Sequence, residues 1–167
     1  MKTIKPILLV IAGIFFLALS ENLKAQSFSG WMGDNRNGTI EGFNVPGEWP
    51  SQLTKIWNIP VGESDASPVL LDGKMYLHVK RDNNEIAICI DPKNGKELWS
   101  TVLNQAPEVG GPAAGHPGPR STPAISSGKL FTLGAGGAVN CLDAKTGKII
   151  WSNHEYKEVP QFFTSAS

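Results

Sequence analysis

The sequence carries no excess charge of either sign: Lys plus Arg and Asp plus Glu are 15 each. A neutral chain lacks the basic footprint of a nucleic-acid binder or a polybasic membrane module. Two cysteines are too few for a disulfide scaffold. At 18% charged and 41% hydrophobic residues, the chain is too apolar for a disordered one. The uncharged apolar run Ile7–Leu19 has 13 residues, short of the roughly 20 of a membrane span. His78, His116 and His154 share no metal-ligand spacing. No glycine-rich loop follows a strand and opens a helix; Gly134–Gly137 joins two strands and reads as a hairpin. Chain reversals are what the sequence has in quantity. Its 18 Gly and 12 Pro point to an all-β protein.

Lys2 and Lys5 precede the apolar run, and the small or polar stretch Ser20–Gln26 follows it. This pattern predicts a secretory signal over 1–25, with an uncleaved amphipathic anchor as the alternative. Ala25 suits the position before the cut and Leu23 suits the third position before it less well, so the bond itself stays open. No cysteine stands near the end of the run to mark a lipoprotein. Cleavage would remove three lysines and one glutamate, leaving 142 residues, a net charge of −2 and no membrane span. The expected location is the periplasm or the extracellular space. Residues 26–54 form an N-terminal segment leading into the repeats of 55–167.

The chain repeats itself. Cys89-Ile-Asp-Pro-Lys-Asn-Gly-Lys-Glu-Leu-Trp99 aligns with Cys141-Leu-Asp-Ala-Lys-Thr-Gly-Lys-Ile-Ile-Trp151 at an offset of 52, with six identities. Upstream, Ser67–Tyr76 aligns with Thr122–Phe131 at an offset of 55. Each copy predicts four short strands: 68–71, 74–79, 86–90 and 97–101, then 123–126, 129–133, 138–142 and 148–152. Met75, Leu77 and Val79 alternate with Tyr76 and His78, a period of two. Asp72-Gly73 is a hairpin signal, and Asp91–Gly95 is a turn in which Pro92 presets φ and Gly95 takes the left-handed position.

Four antiparallel strands in about 40–50 residues is the size of a propeller blade. Stacking blades around an axis covers their faces. Trp99 and Trp151 occupy one fixed place suited to a blade-to-blade contact, and Trp57 is a third instance. Export would place Cys89 and Cys141 where disulfides form. As equivalent positions of neighbouring blades, they read instead as small buried residues without a disulfide.

The 11-residue block resembles the tryptophan-docking repeat of the pyrroloquinoline quinone (PQQ)-type propellers, Ala-x-Asp-x-x-Thr-Gly-Lys-x-x-Trp. Both copies carry cysteine at its first position, and the first has Asn94 where threonine is usual. The resemblance runs from about Trp31 to the end. It includes Gly118-Pro119-Arg120-Ser121-Thr122-Pro123, which resembles a segment of exported bacterial members. The docking set it implies is Trp57, Cys89, Asp91, Gly95, Trp99, Cys141, Asp143, Gly147 and Trp151. Trp31–Gly38 resembles the family's opening segment; an Asn-Gly turn with a packed tryptophan is the preferred reading.

Family propellers have roughly seven or eight blades, and Pro160–Ser167 stops where a third repeat would place its proline. A fragment with two blades and a part is the expectation, with the remaining blades of the same chain as its first partner. Such an arc exposes unpaired edges, so this piece is not expected to behave as a well-folded monomer.

Strand parity places Gly62–Ala66, Lys80–Glu85, Gln105–Arg120 and Gly134–Gly137 on one face, where long loops favour function. A protein or small-molecule ligand is expected there. Gln105–Arg120, with four prolines and four glycines, is no helix. Arg120, whose fork of donors suits a carboxylate or quinone oxygen, is the candidate for a central ligand. Its pairing with an acid such as Glu108 is the plainer alternative. His116 reads as a solvated loop residue, His78 as an exposed or edge histidine, and His154 as surface. Glu63, Asp65 and Asp82 could approach a calcium ion, though their spacing does not require it. Asn37-Gly38-Thr39 fits the glycosylation pattern.

Two functional classes follow. One is an exported binding or interaction scaffold, of which the outer-membrane assembly lipoprotein with similar repeats would be a variant. The other, implied by the resemblance, is a PQQ- and calcium-dependent dehydrogenase oxidising an alcohol or sugar. The family's alcohol enzymes place two adjacent cysteines over the quinone, and an aspartate acts as base beside the metal. Cys89 and Cys141 stand 52 residues apart, and neither the base nor the calcium ligands can be assigned. The residues themselves establish no cofactor, catalytic residue or metal ligand; scaffold binding is the preferred reading.

Overall fold

The computed structural model describes residues 27–40, 42 and 44–155. The signal of 1–25, Gln26 and the segment Tyr156–Ser167 with its third-repeat start lie outside the described residues. Among the described residues, eight strands form two antiparallel sheets, each in sequence order. The first holds β1 (Val69–Leu71), β2 (Lys74–Arg81), β3 (Asn84–Ile90) and β4 (Glu97–Gln105). The second holds β5 (Ala124–Ser126), β6 (Lys129–Leu133), β7 (Val139–Asp143) and β8 (Ile149–Asn153). A 3-10 turn, Gly111–Ala113, interrupts the proline-rich loop between the sheets.

The hairpin chemistry explains the tight β1–β2 and β5–β6 turns. Asp72 and Gly73 have φ of +50° and +68°, and Ser127 and Gly128 +50° and +72°. Two successive positive φ values match the right-handed twist of the flanking strands. Equivalent residues then fall into equivalent rows. Val69, Tyr76, Cys89 and Trp99 pair across the first sheet, and Ala124, Phe131, Cys141 and Trp151 across the second. Both outer strands shift register just before the tryptophan, leaving Leu98 and Ile150 as extra, exposed residues. Such a bulge bends the strand and re-aims its side chains.

Both faces of the first sheet are covered. On one, Val69, Tyr76, Ala87 and Cys89 pack with Ile125, Leu130 and Leu142 of the second sheet. On the other, Val79, Ile88 and Ile90 lie under Ile59 and Val61 of the preceding segment. Each fully buried Leu or Ile contributes about 1.5–3 kcal/mol. Cys89 and Cys141 are free and buried, as their equivalence requires.

The N-terminal segment straps the edge strands β1 and β5 together. Phe28 exchanges backbone bonds of 2.7 and 2.9 Å with Leu70, and Ile125 N–H donates to Ser29 O at 2.8 Å. Asp34 holds this strap by accepting from Ser29 N–H at 2.8 Å and from the Ser27 hydroxyl. The Ser27 hydroxyl, foremost, keeps its carboxyl below the usual aspartate range. Trp31 corrects one expectation: 49% exposed, it is not packed. Phe28 is the aromatic that touches this turn, 3.0 Å from where a Cβ on Gly33 would sit.

Candidate functional site

The loops assigned by strand parity to one face do gather at one end of the sheets. Glu63 bridges Lys80 through backbone bonds of 2.9 and 2.8 Å. Asp65 N–H donates to Pro119 O at 3.0 Å, and Ala106 N–H to Asn83 O at 2.9 Å. Pro107 lies 3.5 Å from the Cβ position of Gly136. The Lys80–Glu85 connection is tighter than expected: both strands extend into it, leaving Asp82, at φ +51°, and Asn83 as the turn.

A cavity of about 360 Å³ opens here between the Asn83 turn and the proline-rich loop. Lys80, Asn83, Gln105 and Glu108 supply its polar lining, Pro107 and Pro117 apolar wall. The Lys80 ammonium lies 3.1 Å from the Glu63 carboxylate. Neither Asn83 nor Gln105 was singled out from the sequence, because a carboxamide beside a turn carries no periodic signal.

Arg120, the candidate for a central ligand, donates from Nη2 to His116 O at 2.9 Å. His116 itself is exposed, as expected, and its Nδ1 stands 2.9 Å from Asp65 Oδ2. Gly118 explains the local sequence: a Cβ there would fall 2.2 Å from Glu63 O, so the two loops meet backbone to backbone. Glu63, Asp65 and Asp82 are not brought together; among the described residues no three of His, Cys, Asp or Glu could hold a metal. His154 is exposed. Asn37 Oδ1 accepts from Thr39 N–H at 3.0 Å and its hydroxyl at 2.6 Å.

His78 overturns its sequence reading. It is 1% exposed, on an inner strand of a sheet covered on both sides. Burial pushes its pKa down to about 3. Its Nε2 lies 3.9 Å from Oε2 of Glu85, which is fully buried. Burial raises the Glu85 pKa, against hydrogen bonds from Asn104 and from the Ala135 amide. The sequence signal missed here was a polar residue without a repeat: at the offset of 52, Gly137 stands in place of Glu85.

The tryptophans make like contacts. Trp57 Nε1 donates to Pro92 O at 2.7 Å, and its ring lies 3.0 Å from the Cβ position of Gly95. Trp99 Nε1 donates to Ala144 O in the second sheet at 3.3 Å, and its ring lies 2.6 Å from the Cβ position of Gly147. Both receiving turns close by a glycine N–H to aspartate O bond of 2.8 Å, from Gly95 to Asp91 and from Gly147 to Asp143. Thr146 donates to the Asp143 carboxylate through its hydroxyl and its N–H, lowering that pKa. Asn94, at the first copy's threonine position, donates to Asp91 Oδ2 at 3.0 Å. Trp151 is 45% exposed.

Tandem four-stranded antiparallel sheets resembling β-propeller blades define the class of this protein. Residues 82–161 match the family model described as outer membrane protein assembly factor BamB. Over that stretch the chain is similar to the PQQ-like repeat family. Subunit 1 of methanol dehydrogenase [cytochrome c] from Methylorubrum extorquens is 30% identical over 112 residues, 60% of this chain and 17% of that protein. Outer membrane protein assembly factor BamB of Xanthomonas campestris pv. campestris is 37% identical over 62 residues, 37% of this chain and 14% of that one. A solved europium-containing methanol dehydrogenase aligns at 24% identity and a TM-score of 0.39, over 52% of this chain and 15% of that chain. The chain thus spans less than a fifth of the length of these curated relatives. No helix among the described residues is long and apolar enough to cross a membrane.

The residues described here do not fit a PQQ–calcium centre. The two cysteines are buried in different sheets, not adjacent over a planar ligand. No group of three His, Cys, Asp or Glu side chains that could hold a metal ion is assembled among the described residues.

Proposed function

We propose that this chain is the first part of an exported PQQ-like propeller, a binding or interaction scaffold whose long-loop face takes a protein or small-molecule ligand. The cavity bounded by Lys80, Asn83, Gln105 and Glu108 carries this reading. It offers an ammonium, a carboxylate and two carboxamides between proline walls, a mixed set suited to orienting a polar ligand. Trp57 and Trp99 support the ring: each sets its indole on the aspartate–glycine turn of the sheet that follows it. Cys89, Asp91, Gly95, Cys141, Asp143 and Gly147 complete the docking positions, and Trp151 would meet a further blade in the same way.

The identity shared with methanol dehydrogenase favours one second reading. In it the protein is a PQQ- and calcium-dependent alcohol or sugar dehydrogenase whose catalytic residues lie beyond those described. Fluorescence titration of the purified full-length protein with PQQ and calcium, joined to a dye-linked alcohol oxidation assay, separates the two. The scaffold reading expects neither saturable binding nor dye reduction. Tight binding with alcohol-dependent reduction would replace it with the dehydrogenase.

A further inference from the structure

The interface between the two sheets is chemically divided. Its apolar part sets Tyr76, Cys89 and Trp99 against Ile125, Leu130 and Leu142, and it uses repeat positions: Phe131, Cys141 and Trp151 are the equivalents of the first three on the second sheet's far face. A face built from repeated residues suits any sheet of the same kind, so it cannot decide which sheet follows which. The other part is polar, and its buried members Glu85, His78, Thr132 and Asn140 are unrepeated. Glu85 Oε1 accepts from Ala135 N–H of the second sheet's hairpin at 2.7 Å, and its Oε2 from Asn104 at 2.8 Å. Asn140 reaches Asn104 at 3.4 Å and accepts from Ser152 at 2.7 Å. His78 and Thr132 add buried ring nitrogens and a hydroxyl oxygen without protein partners. At the repeat offsets of 52 and 55, Glu85 and His78 become Gly137 and Leu133.

We infer that this Glu85-centred layer is a recognition element that pairs the first sheet with the second and rejects other sheets. Glu85 requires two things of its neighbour. One is a backbone N–H offered by the hairpin, which Ala135 supplies. The other is the lack of a side chain beside it: a Cβ on Gly134 would fall 2.0 Å from Glu85 Oε2. A sheet with any other residue there would have to push the carboxylate off its bonds to Ala135 and Asn104. A sheet without the amide leaves a buried carboxylate short of a donor, and an incompletely paired buried charge is strongly disfavoured. Selection by such penalties is how otherwise interchangeable surfaces acquire a single partner. The inference needs only the two sheets and stands whatever the protein binds.

The test compares the unmodified full-length protein with Gly134→Ala and with the double variant Glu85→Leu/His78→Leu. In the unmodified protein, the Ala135 amide should exchange with deuterium about 100-fold more slowly than that of Asp82 in the first sheet's hairpin. The double variant should hold its melting temperature yet divide between monomer and exchanged dimers on size exclusion, because apolar replacement keeps burial and removes discrimination. Gly134→Ala should divide likewise, and Glu85→Gln, which keeps an acceptor for Ala135, should stay one species. Rapid Ala135 exchange in the unmodified protein would overturn the inference. So would either disrupting variant remaining a single monomeric species with Ala135 still protected. Should both disrupting variants fail to fold, the exchange result and Glu85→Gln decide.

Discussion

The indole of Trp99 rests on Gly147 so closely that a Cβ there would lie 2.6 Å from the ring, and Gly147 holds φ at +74°. Space and backbone conformation both demand glycine. Gly147→Ala should therefore destabilise by about 2–4 kcal/mol, combining overpacking with left-handed strain. Gly95→Ala, at the same φ but 3.0 Å from Trp57, should be milder, about 1–3 kcal/mol. Urea midpoints of the two variants check the order; equal effects would mean the tryptophan contacts are not what the glycines serve.

Truncating the tryptophans separates a covered position from an open one. Trp99→Ala removes a ring packed against both sheets and should lose about 3–5 kcal/mol. Trp151, 45% exposed, should lose under about 2 kcal/mol in the isolated 167-residue chain. In a longer protein with a following blade, the two losses should converge. Thermal unfolding of the variants in both forms reads this directly.

The strand plan was legible because alternation and turn chemistry agree locally: Asp72-Gly73 and the Asp91–Gly95 turn stand where the sequence puts them, and strand ends move by a few residues at most. The equivalence of Cys89 with Cys141 was legible for the same reason, since a repeat reports position without needing contacts. What failed was anything set by the neighbouring layer. Alternation told which residues share a face with His78 and could not tell that this face is covered. The strap at Phe28 and Ser29 is two residues long, too short for any period. The Glu85–Ala135 bond joins residues 50 apart at positions the repeat does not reproduce.

Acid should weaken the fold through His78. Its folded pKa, near 3, lies below its unfolded value of 6.5. Its contribution is complete above pH 6.5 and disappears as pH falls from 6.5 toward 3, a change of up to roughly 5 kcal/mol. Glu85 acts oppositely: its raised pKa favours the folded state below the unfolded carboxyl pKa and withdraws that help as pH rises through the folded pKa. Urea midpoints between pH 3 and 8 should thus fall toward acid, and His78→Leu should flatten the limb below 6.5. An unchanged acid limb in the variant would place the loss elsewhere.

Cys89 and Cys141 are both buried and free, and burial raises the Cys89 thiol pKa. Neither thiol should react with a thiol-reactive dye in the native protein, and both should react in denaturant without prior reduction. Reactivity only after reduction would reveal a disulfide and undo the equivalence of the two positions.

The central structural claim is that each sheet's tryptophan docks on the turn of the sheet after it. The measurement that tests it most directly is an experimental structure of the full-length protein at side-chain resolution, examined at Trp151. Its indole N–H should donate to a backbone carbonyl in an aspartate–glycine turn of a following sheet, as Trp99 does to Ala144. Trp151 facing solvent, or covered by an element of another kind, would contradict it.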